Sequence, residues 1–149
     1  MSTPTLENNP IRHEHIAPVR KLWWVALVAG VSAFVGALIV FGIARAFNVP
    51  LAVFAPPTYE ALSPLEVSFI AQATFPPAIG AAILLLILGR FTRRPILIFQ
   101  IIAMLFLLLS FGGPLSLPVS GLVKLVLATM HIVVAVTIVG VLSTLGRER

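Results

Sequence analysis

Residues 120–145, SGLVKLVLATMHIVVAVTIVGVLSTL, form a single apolar run. A helix needs about 20 mainly apolar residues to cross a bilayer, so this stretch is long enough to span as one helix. Two ionisable side chains interrupt it, Lys124 and His131. They stand about two helical turns apart and so project from the same face. An ionisable group within a span is costly and faces protein or a water-filled cavity rather than lipid. This helix is therefore read as the inward-facing one, against which the others pack.

Three further apolar runs precede it, and composition decides how to read them. The chain of 149 residues is 59% hydrophobic and only 10% charged, with a mean hydropathy of +1.08. That excludes a soluble globule, and four spans use up the length. The reading is all-α: one polytopic four-helix membrane domain over residues 22–146, with spans near 22–47, 64–88, 95–111 and 120–145. A polar tail, 1–21, precedes it, and 147–149 close the chain. The net charge of +5 does not point to nucleic acid, because the basic residues flank the spans and so report topology and contact with anionic headgroups. With no cysteine there is no disulfide, thiol nucleophile or thiolate metal site.

The tail carries Pro4, Pro10 and Pro18 and is expected to lack packed structure. Its length before the first apolar run argues against a cleaved signal peptide. Arg12, His13, Glu14 and His15 make a small titratable cluster, but so short a set is a poor metal site, and no metal or cofactor is expected. Arg20 and Lys21 before Trp23 and Trp24 mark the headgroup level. Ala26 with Gly30, and Ser32 with Gly36, place small residues four apart, which lets another helix approach closely. Arg45, near the far end, reads as a side chain reaching for the opposite interface.

The connection 48–62 is apolar and broken by Pro50, Pro56 and Pro57. Phe54 and Tyr59 suggest that it lies on the membrane surface or over the mouth of the bundle, as a packed loop or, alternatively, a lid. Ser63, Pro64 and Glu66 read as a capping box opening the second span. Pro76 and Pro77 within that span deprive the carbonyls of Gln72 and Ala73 of helical partners and predict a kink near mid-bilayer. The short link GRFTRRP makes spans two and three antiparallel neighbours. Span three is apolar apart from Gln100, and Ser120 or Ser116 is the expected cap of span four.

Arg12, Arg20, Lys21, Arg90, Arg93, Arg94, Arg147 and Arg149 lie toward one side, against Arg45 and Lys124 toward the other. By the positive-inside bias, both termini are expected in the cytoplasm. Arg45, Glu66 and Lys124 then share the outer third of the membrane, with Gln72 and His131 deeper. An ion pair from Glu66 to Arg45 or Lys124 would lower the cost of keeping these charges there. The cluster reads either as a polar clamp that sets helix packing or as a site in which His131 exchanges protons or binds a ligand.

The link GRFTRRP, the stretch LSFGGPLS and the run KLVLATMHIVVAVTIVGVL resemble a family of small bacterial four-span membrane proteins of unknown function. There, an arginine-containing link precedes span three, and span four carries a methionine and histidine pair, matched by Met130 and His131, with Lys124 about two turns earlier. The resemblance covers most of residues 22–146 and implies four helices in a bacterial cell membrane. It implies no mechanism.

No phosphate loop, HExxH pair, GxSxG elbow or clustered carboxylate pair is present, so an enzyme is not expected. The leading expectation is a structural or accessory subunit, or a self-associating helper, that packs through its small-residue faces. The alternatives are a small oligomeric transporter or proton-coupled carrier using His131 and the Pro76 and Pro77 kink, and a sensor acting through its tail. No internal repeat supports the carrier. The expected partners are the lipid bilayer and a second copy or larger membrane complex.

Overall fold

The computed structural model describes residues 16–54 and 61–147. In chain order these form α1 (Val19–Ala46), β1 (Ala52–Phe54), β2 (Leu62–Pro64), α2 (Val67–Phe91), α3 (Pro95–Ser110), α4 (Gly112–Ser116) and α5 (Gly121–Leu145). Four helical segments are long and apolar enough to cross a membrane, α3 and α4 counting as one. Each 25-residue helix reaches about 37 Å, enough for the hydrocarbon layer with some tilt.

The helices meet through small residues. In lipid no hydrophobic force drives helix on helix, so association rests on close van der Waals packing. Helix α1 supplies it with a stripe of Ala26, Ala29, Gly30, Ala33 and Ala37, all buried. It packs most extensively on α5 and next on α2. A Cβ built on Gly30 would lie 3.0 Å from Phe75 Cδ1 of α2, and one on Gly36 would lie 2.8 Å from Val133 Cγ1 of α5. Phe75 also stacks obliquely on Phe34, with ring centroids 5.7 Å apart. The expected close approach at Ala26 and Gly30 is therefore made inside the molecule. Ser32, in contrast, is exposed, so only Gly36 of the second pair serves packing.

The first and last described residues, Ile16 and Arg147, gather at one end of the bundle. Ile16 bridges to Arg147, and the Ala17 amide donates to the Gly146 carbonyl at 3.0 Å. Ile16 also seats against Gly89, where a Cβ would collide with it. Arg20, Lys21, Arg90, Arg93, Arg94 and Arg147 consequently share this basic end. Nearby, Gln100 Nε2 donates to Ser143 Oγ at 3.3 Å, linking α3 to α5, and Arg147 Nε donates to the Ser143 carbonyl at 2.9 Å.

At the opposite end, α1 stops on Asn48, whose φ of 53° is left-handed. The Val49 amide donates to the Ala44 carbonyl and that of Asn48 to the Arg45 carbonyl. These are the paired bonds of a Schellman ending, with asparagine in the position that needs αL and Pro50 just beyond. Strands β1 and β2 then pair antiparallel, Val53 opposite Ser63. An isolated two-stranded hairpin is marginal. This one is held down because Val49, Leu51, Val53 and Leu65 are buried in the same cluster as Ile70, Leu117 and Val123.

The hairpin overturns one expectation. Ser63 and Pro64 belong to β2, so α2 starts three residues later than residue 64 and the capping box does not form. Ser63 stands three residues before the N-cap position, too far to reach the first free amides of α2. Glu66 instead occupies the N-cap position without a side-chain cap, and its carboxylate accepts from the Ser68 hydroxyl at 3.2 Å. Ser120 does cap α5, accepting from the Val123 amide at 3.4 Å.

Candidate functional site

Helix α3 is loosely held. Its buried residues, Pro95, Ile96 and Phe99, all lie in its first turns, and it touches α2 and α5 far less than α1 does. Toward the hairpin end it leaves a cavity of about 930 Å³ between α2, α3 and α5, roofed by Val53, Phe54 and Leu65. That volume is at the upper end of the usual range for small-molecule pockets. Its wall is apolar, with Ile70, Ala81, Leu84, Ala103, Phe106, Val134 and Ile138 among the residues facing it.

Four polar side chains line this cavity: Thr74, Ser110, Ser116 and His131. Each hydroxyl already donates to a carbonyl of its own helix. Thr74 Oγ1 bonds Ile70 at 2.7 Å, Ser110 bonds Leu107 at 2.7 Å, and Ser116 bonds Gly113 at 2.9 Å. This is the usual way for a hydroxyl to sit within a helix without an outside partner. His131 Nδ1 lies 2.8 Å from the Leu127 carbonyl. A carbonyl can only accept, so Nδ1 carries the hydrogen, and in the neutral ring Nε2 is left as an acceptor. Among the described residues Nε2 has no hydrogen-bond partner. Because no sealed side-chain nitrogen or oxygen there lacks one, Nε2 is not sealed, and it belongs to a residue that lines the cavity.

Pro76 and Pro77 lie inside α2, which continues helical through both. Lacking amide hydrogens, they leave the carbonyls of Gln72 and Ala73 without the usual donor. Ala73 and Pro77 line the cavity, whereas Gln72 and Pro76 do not. The second proline and the residue whose carbonyl it leaves without its usual donor therefore both belong to the cavity wall.

The other sequence-predicted site residues do not join His131. Arg45 is exposed and stacks on Phe41, its guanidinium carbon 5.7 Å from the ring centroid. Glu66 is exposed at the start of α2, and Gln72 is exposed on that helix. Lys124 Nζ donates to the Leu115 carbonyl of α4 at 2.8 Å. No ion pair joins Glu66 to Arg45 or Lys124 among the described residues. The reason is exposure: at the hairpin end each group finds a local partner or solvent, so no low-dielectric setting forces the charges together. The His13, Glu14 and His15 cluster and Tyr59 lie outside the described residues.

Sequence reasoning had not placed Thr74, Ser110 and Ser116 in the site. Their signal was present but weak, since hydroxyls in apolar spans are common and bond their own helix. Phe54, expected on the membrane surface or over the mouth of the bundle, contributes to the roof.

No curated protein matches the chain, and no solved structure does. A family model does match, over residues 17–148, which takes in all four spans and both walls of the cavity. The chain belongs to that family, DUF6069, a family of unknown function.

Proposed function

We propose that this is a non-enzymatic membrane protein of the binding or carrier class, which admits an apolar guest from the bilayer into the cavity between α2, α3 and α5. The observation that carries the reading is the cavity itself: about 930 Å³ of apolar space at membrane depth, with His131 among the residues of its wall. A purely structural bundle gains nothing from such a gap, because in lipid each lost packing contact weakens helix association. A self-associating role through the small residues of α1 is less favoured, since Ala26 and Gly30 already serve α5 and α2. The excess of basic residues favours the basic end, and with it both termini, on the cytoplasmic side of a cell membrane.

Methyl NMR in nanodiscs, with a spin-labelled alkane as probe, tests the reading. Wall methyls of Leu84, Val134 and Ile138 are expected to broaden in a saturable way, and Ala103→Trp, which fills the cavity, should abolish the saturable part. Broadening confined to outward methyls such as those of Val31 and Ile39, rising linearly with probe, would overturn it.

A further inference from the structure

The cavity wall is chemically one-sided. It has four polar side chains, and each of their hydrogens that the geometry assigns is committed to a backbone carbonyl, at 2.7 to 2.9 Å. With the ring neutral, what the lining residues leave without a committed hydrogen is acceptor only: Nε2 of His131 and the Ala73 carbonyl, which Pro77 deprives of its usual donor. Apolar walls fix a guest's shape, and a few placed polar groups fix its chemistry. A guest that brings a hydroxyl satisfies Nε2, whereas one that brings an ether, ester or ketone oxygen faces it lone pair to lone pair. Sites with an unmet buried polar group discriminate strongly between such pairs.

From this we infer that the guest is a long-chain alcohol or another largely hydrocarbon molecule with a single hydroxyl, donating its hydrogen to His131 Nε2. The inference rests on the cavity reading of the preceding subsection and names its ligand class. The depth of the residue agrees with it. His131 is the eleventh of 25 residues in α5, about 15 Å from the helix start at the standard rise. A hydroxyl at that depth has no water to bond, so a protein acceptor there is worth more than one at the interface. A charged headgroup is disfavoured for the same reason, and among the described residues no cation lines the cavity.

The test compares hexadecan-1-ol with its methyl ether, each displacing the spin-labelled alkane from the protein in nanodiscs. The imidazole nitrogens are followed by ¹⁵N NMR, with the His131 signals assigned by their loss in His131→Phe. The alcohol should displace the probe about fivefold more tightly, as one net hydrogen bond allows. It should also move the Nε2 resonance and leave Nδ1 in place, and His131→Phe should bring the two affinities together while the methyl spectrum keeps its dispersion. Should that variant misfold, the affinity ratio and the Nε2 shift in the unaltered protein still decide. Equal displacement by both probes with Nε2 unmoved would overturn the hydroxyl inference and leave the cavity reading standing. If neither probe displaces the alkane, the cavity reading falls, and this inference with it.

Discussion

Two residues of α5, seven apart on one face, end up with different roles. Lys124 reaches Leu115 at the hairpin end, where its charge can stay near the interface. His131 stays within the span, and the Leu127 carbonyl sets which nitrogen bears the hydrogen. Thr74 shows how little a hydroxyl can matter in such a position. Its bond is to a carbonyl that the helix already uses, so Thr74→Val should change stability by less than about 1 kcal/mol. Reversible unfolding in mixed micelles would measure this, and a loss above 2 kcal/mol would mean that Thr74 holds α2 together in some other way.

Among the elements, α1 packs along most of its length through small residues and tolerates little added volume on that face. Gly36→Leu puts side-chain atoms where Val133 already stands, and should destabilise by about 1–3 kcal/mol. Ser32→Leu, four residues earlier on the exposed side, should leave stability within about 0.5 kcal/mol. Equal losses at both positions would contradict the assignment of faces. The end of α1 gives a second contrast. Asn48→Val forces a β-branched residue into the left-handed region and should cost about 1–2 kcal/mol, while Asn48→Gly should be neutral or better. Thermal unfolding of the two variants side by side would show the order.

For the molecule as a whole, the side of the membrane that each end faces can be tested directly. The natural chain has no cysteine, so single cysteines report without background. With the basic end cytoplasmic, an impermeant maleimide added to intact cells should label Pro50→Cys and spare Arg93→Cys. The reverse pattern would place the six basic side chains outside. The ends of the bundle also differ in how charge is balanced. Among the described residues the one carboxylate side chain is Glu66, at the hairpin end, so the basic end carries no acid of its own there.

Much of this architecture was present in the sequence for a local reason. Hydrocarbon offers no hydrogen bonds, so each span must satisfy its own backbone, and four runs of sufficient length and apolarity announce four helices without reference to one another. The Ala26 and Gly30 spacing and the Ser120 cap are local in the same sense. The hairpin was not legible, because strands of three residues are too short for any alternation to show, and they hold only by burying Val53 and Leu65 against helices distant in the chain. Nor could spacing alone tell that Glu66, Arg45 and Lys124 would each settle on a neighbour rather than on one another. The cavity and the unsealed nitrogen of His131 belong wholly to the tertiary structure. They depend on how far α3 stands from α2 and α5, and that distance is set by packing among all the helices rather than by any one of them.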